Sequence, residues 1–109
     1  MDRKTIDKII KIYLKDLSKK IQVDKAILFG SAATGKFGPD SDIDLIILST
    51  EFAKMSVSDR FDLLTESRQS EETQVTPMDI FGLTPQEYSE GNYFSVLGEI
   101  KETGREIYL

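Results

Sequence analysis

The segment that most restricts the fold runs from Lys25 to Leu48. Lys25 to Phe29 (Lys-Ala-Ile-Leu-Phe) reads as a short buried strand, and Ile43 to Leu48, rich in β-branched residues, as a second one carrying a polar group, Asp44, near its start. Between them lie Gly30-Ser31, the small residues Ala32-Ala33-Thr34-Gly35 and a turn at Gly38-Pro39-Asp40-Ser41. Helices flank this pair. From Thr5 to Lys20, Ile6, Ile9, Ile10, Tyr13, Leu14 and Leu17 recur at three and four, which predicts an amphipathic helix. Ser56, with Asp59 three residues on, caps a second from about Ser58 to Ser70, through Val57, Phe61, Leu64 and Arg68. After the polar stretch Glu71 to Thr73, Gln74 to Leu83 reads as extended, with Pro77 demanding an edge position or a bulge. Thr84-Pro85-Gln86-Glu87 starts a short helix that Gly91-Asn92 breaks. Tyr93 to Thr103 resumes a helical pattern up to Gly104, and Glu106 to Leu109 is a last strand. This order predicts an α+β fold, one mixed β-sheet packed against helices, with the strand order open. At 109 residues the expectation is a single domain spanning 1–109.

The chemistry open to such a chain is narrow. It has neither Cys nor His, so disulfides, thiolate zinc sites, imidazole bases and His- or Cys-dependent triads are excluded. Carboxylates, Lys, Tyr, Ser and Thr remain, and the natural tools of an enzyme made from them are acids and a hard metal ion. With 14 basic against 19 acidic residues and a formal charge of −5, a nucleic-acid partner is disfavoured. No run of eighteen apolar residues and no signal sequence occurs, so the expected location is the cytoplasm, with no membrane contact.

Asp42 and Asp44, two apart at the head of a strand, point the same way and lie close enough to share ions. Two carboxylates on one face repel, and Mg²⁺ is the simplest compensation in a protein without His or Cys. Two such ions side by side would activate an attacking hydroxyl and stabilise a leaving pyrophosphate. Taken alone, the pair is a weak signal that a solvated turn explains better, since ten Asp in 109 residues produce about one such spacing by chance. Gly30-Ser31 is similarly ambiguous. It is either a plain connection or a turn whose Gly lets the backbone approach a phosphate while the Ser31 hydroxyl bonds its oxygens. Lys36 is either solvated or a neutraliser of phosphate charge.

Specificity comes from the combination. Leu28-Phe29-Gly30-Ser31-Ala32-Ala33-Thr34-Gly35, followed by Pro39-Asp40-Ser41-Asp42-Ile43-Asp44-Leu45, closely resembles the signature of the polymerase-beta-like nucleotidyltransferase superfamily. Within it the chain is most similar to the minimal, MNT-type nucleotidyltransferases found beside HEPN-domain proteins in bacteria and archaea. The resemblance implies the palm-type nucleotidyltransferase fold, with Gly30 and Ser31 on the triphosphate and Asp42 and Asp44 on the metals. It also calls for a third carboxylate on a following strand, for which Asp79 is the candidate as the one Asp of the next extended segment. The implied activity is Mg²⁺-dependent transfer of AMP from ATP to a hydroxyl, that of a tyrosine of a HEPN-type toxin, with this chain as the antitoxin. A homo-oligomer is also open. One departure favours an alternative, a binding module that masks a partner without chemistry: relatives commonly carry Arg around the small-residue segment, where this chain has Ala32 and Thr34.

Overall fold

The structure is a computed structural model and describes residues 2–35, 42–91 and 104–107. Helix α1 (Arg3–Leu17) is capped by the Asp2 carboxylate, which accepts from the Thr5 amide at 2.8 Å, and it buries the six apolar residues of the predicted stripe. It ends at Leu17, short of the expected Lys20. Leu17 is the last residue of the buried stripe, and Ser18 to Lys20 form turns instead.

Strands β1 (Lys25–Phe29) and β2 (Ile43–Leu48) lie where the sequence places them. They pair antiparallel, while β3 (Met78–Leu83) runs parallel to β2 and β4 (Arg105–Ile107) antiparallel to β1, giving the order β3-β2-β1-β4. The sheet is therefore mixed, and β3 is an edge strand preceded immediately by Pro77, the position its proline demanded. A parallel neighbour needs a crossover. That crossover holds a 3₁₀ turn (Thr50–Lys54) and helices α3 (Val57–Glu66) and α4 (Glu71–Val75). Ser56 caps α3 through the Asp59 amide at 3.0 Å. Helix α5 (Pro85–Glu90) follows β3 and shows the expected reciprocal cap between Thr84 and Glu87.

Two further expectations are corrected. The predicted second helix stops at Glu66, and Glu71 to Val75 is helical where a polar stretch running into an extended segment was expected. Arg68 supplies the reason. Its guanidinium donates to the carbonyls of Thr73 and Thr76 at 2.8 and 2.7 Å, satisfying oxygens at the end of α4 that five residues cannot satisfy internally. The Gly38–Ser41 turn and the Tyr93–Thr103 helix lie outside the described residues.

Alternation along the strands divides the sheet into two faces. Ala26, Leu28, Ile43, Leu45, Ile47 and Met78 pack with α1, Phe52 and Leu64 into the main core, where the buried Tyr13 hydroxyl donates to the Leu64 carbonyl at 2.7 Å. On the opposite face Ile27, Ile46 and Leu48 cluster with Phe29, Leu83 and Tyr88. No helix among the described residues is long and apolar enough to cross a membrane.

Candidate active site

Register places the site. Phe29 stands opposite Asp44 across the antiparallel pair, and Asp44 stands opposite Asp79 across the parallel one. Asp42 lies just before β2, on the same side as Asp44 by alternation. Asp42, Asp44 and Asp79 thus converge, each offering a carboxylate oxygen within 4.8 Å of the others. Asp42 and Asp79 are exposed and Asp44 is half-buried. Burial pushes the Asp44 carboxyl up to about 6, and the charges of Asp79 and Asp42 push it the same way. One proton held on this group relieves the repulsion that three bare carboxylates would create.

Gly30 closes the arrangement from β1. Its φ of 72° and ψ of −155° belong to glycine alone, and a Cβ there would collide with Asp44 Oδ2. Ser31 opens the four-residue turn of helix α2 (Ser31–Thr34), which ends at Gly35 in the left-handed conformation, its amide donating to the Ser31 carbonyl. The small-residue segment is thus a helical turn, shorter than periodicity can reveal. Gly30→Ala should lower stability by about 1–3 kcal/mol through backbone strain and displace the Asp44 carboxylate. Thermal denaturation, with a divalent-ion titration beside it, checks both effects.

Of the six residues singled out by sequence, five are brought to one end of the sheet: Gly30, Ser31, Asp42, Asp44 and Asp79. Lys36 lies outside the described residues. Phe29 and Phe81, which no sequence motif marks, pack with ring centroids 6.2 Å apart. Phe81 follows Asp79 by two and so shares its face, the alternation that could have marked it.

An α+β domain thus gathers three carboxylates and a glycine turn at one end of a mixed sheet, and carboxylate oxygens are the donors that hard cations take. The chain belongs to the nucleotidyltransferase domain family, which it matches over residues 8–103. A candidate protein adenylyltransferase of Methanocaldococcus jannaschii is 46% identical over 48 residues, 42% of this chain and 48% of the relative, so the match spans about half of that relative's length. The crystal structure of a candidate nucleotidyltransferase from Sulfolobus solfataricus shares the fold, with TM-score 0.66 and 20% identity over 80% of this chain and 74% of its own.

Proposed function

We propose that the protein is a minimal, MNT-type nucleotidyltransferase that moves AMP from ATP to a protein hydroxyl, and that its acceptor is a tyrosine of a HEPN-type toxin which it neutralises as antitoxin. The observation that carries the reading is the convergence of Asp42, Asp44 and Asp79 beside Gly30. The name of the Methanocaldococcus relative supports a protein as acceptor.

Three carboxylates without nitrogen or sulfur ligands suit Mg²⁺. Bound there, magnesium would acidify the acceptor hydroxyl and neutralise charge on the phosphates. Gly30 admits the triphosphate close to the backbone, Ser31 bonds its oxygens, and Lys36 offsets its charge. Asp79, exposed on the edge strand, takes the acceptor's proton as the acceptor oxygen bonds the α-phosphorus and the bond to pyrophosphate breaks.

Incubation with α-labelled ATP, Mg²⁺ and a HEPN-type partner protein should label that partner. Label transfer surviving in both Asp42→Asn and Asp44→Asn would sink the mechanism. A pH dependence follows as well. The folded Asp44 carboxyl titrates near 6, above its ordinary 3.8, so the folded state holds a proton that the unfolded chain releases. The metal-free protein therefore loses stability as pH rises through about 6, and Mg²⁺, which needs the ionised site, should raise the melting temperature more at pH 8 than at pH 5. Equal shifts at both would place the ion elsewhere.

One observation favours the second reading, a binding module without chemistry. Ala32, where relatives commonly carry Arg, is 1% exposed and packed in the core, so position 32 contributes no cation to the phosphates. Calorimetry with ATP and Mg²⁺ separates the two, because a pure binding module has no metal-dependent nucleotide affinity.

A further inference from the structure

Phe81 is a large apolar side chain left 53% exposed on the strand that carries Asp79. Register fixes where it stands. Phe29, Asp44 and Asp79 form one cross-strand row, and Ile27, Ile46 and Phe81 form the next row on the same face. The two rows are two residues, or about 6–7 Å, apart. The Phe29 ring leans out of its own row onto Phe81, with centroids 6.2 Å apart and planes tilted by 42°. Ile46, beside Phe81 in its row, is buried. Phe81 is thus held from one side by an aromatic neighbour, and about half of it is left to meet a ligand.

The course of the proposed transfer decides which reactant meets that ring. Attacking and leaving oxygens stand on opposite sides of the phosphorus being transferred. With pyrophosphate over Gly30 and Ser31 at the end of β1, and metal over Asp42 and Asp44 at the head of β2, the acceptor arrives on the far side, over β3. There β3 presents Asp79, which takes the acceptor's proton, and Phe81 one repeat along the same face. An aromatic ring seated against Phe81, with a hydroxyl on the ring atom farthest from its chain, spans the repeat from Phe81 to Asp79. The side chains of Ser and Thr bring a hydroxyl to Asp79 without any ring to set against Phe81.

We propose that Phe81, steadied by Phe29, is the acceptor-specificity residue: it seats the ring of a phenolic acceptor and so favours tyrosine over serine and threonine. The assignment rests on the nucleotidyl-transfer reading. The phenol oxygen bonds the α-phosphorus, its proton passes to the Asp79 carboxylate, and the electron pair of the broken bond leaves with pyrophosphate.

The probes are N-acetyl-tyrosinamide and N-acetyl-serinamide, each titrated into protein ¹³C-labelled at Phe in the presence of Mg²⁺ and α,β-methylene-ATP, whose bridging carbon blocks transfer. The Phe81 and Phe29 ring resonances should shift with the tyrosine amide and not with the serine amide. Phe81→Leu should weaken that binding about tenfold or more, and Phe81→Trp, which restores an aromatic face without adding a phenol, should recover it. With labelled ATP, the preference for a Tyr-bearing over a Ser-bearing peptide should fall by the same factor in Phe81→Leu, at an unchanged KM for ATP. Absence of ring shifts at millimolar tyrosine amide, or a preference indifferent to Phe81→Leu, overturns the proposal. Phe81 shifts raised by the ATP analogue alone, with nucleotide affinity lost in Phe81→Leu, overturn it in favour of a seat for the nucleobase. Ring shifts with the tyrosine amide in a protein that labels neither peptide leave the aromatic seat standing and remove the transfer reading instead.

Discussion

Asp44→Asn should lower the proposed nucleotidyl transfer by roughly 10³-fold or more and, in the same protein, raise the melting temperature of the metal-free form at pH 8. Both effects come from one geometry. Asp44 is the half-buried member of the three carboxylates, flanked by Asp79 across the parallel pair and by Asp42 two residues before it. At pH 8 its carboxyl, pushed up to about 6, is ionised against its environment, so the fold carries unrelieved repulsion. The amide of Asn keeps the shape and removes the charge, and its N–H can donate to the Asp79 carboxylate. The same substitution removes the negative charge and one of the two oxygens that Asp44 offers the cluster, and a loss of several kcal/mol of transition-state stabilisation corresponds to the stated fall in rate. Thermal melts in EDTA at pH 8, paired with the labelled-ATP assay, read the two effects independently. An Asn variant that melts below the parent, or that retains transfer, contradicts the account. Below pH 3.8, where the carboxyl is protonated in the folded and the unfolded chain alike, the stability difference should vanish.

What the sequence reveals of this site follows from the range of its signals. Strands β1 and β2 are legible because each is a compact apolar run, and their register brings Gly30 to Asp44 directly. Asp79 is legible through chain order and placed beside Asp44 through the parallel pairing of β2 with β3, which depends on a crossover that no local pattern specifies. That crossover is where expectation and structure part. Helix α4 is five residues long, less than two turns, and is completed by Arg68 from outside it, so its periodicity is invisible and its stability is tertiary. Helix α2 is shorter still and is set by positive φ at Gly30 and Gly35, where composition alone leaves a plain connection and a phosphate-binding turn equally open. The Phe29–Phe81 contact joins β1 to β3 across β2 and requires the strand order, which the sequence leaves open.

Arg60 shows the same limit at its sharpest, and its loss should be the most destabilising single change on α3. A charged residue on an otherwise apolar helical row suggests solvent, yet Arg60 is 8% exposed. Its guanidinium donates to the carbonyls of Phe52, Met55 and Gly82 at 2.7, 3.3 and 3.2 Å, pairs with both Glu87 oxygens at 2.7 and 3.2 Å, and lies 5.6 Å from the centre of the Phe52 ring. One fork thus ties the 3₁₀ turn, β3 and α5 to α3. Arg60→Ala leaves three carbonyls without their donor, a penalty of about 1–3 kcal/mol for each that stays dry. Glu87 is more forgiving, because its side chain is 43% exposed and water can replace the guanidinium. The sum expected is roughly 3–5 kcal/mol, a large share of the 5–15 kcal/mol that stabilises a domain of this size. Arg60→Lys keeps the charge but cannot span three carbonyls and a carboxylate, so it should fall between the two. Urea denaturation with all three proteins checks the order. An Ala variant within about 1 kcal/mol of the parent would mean that water reaches those carbonyls and that the fork is dispensable. The Glu87 carboxyl, held below the ordinary carboxylate range first by its hydrogen bond to Arg60, supplies a second readout. Its contribution is present at neutral pH and lost as pH falls through the lowered value, so the gap between parent and Arg60→Ala should narrow in acid.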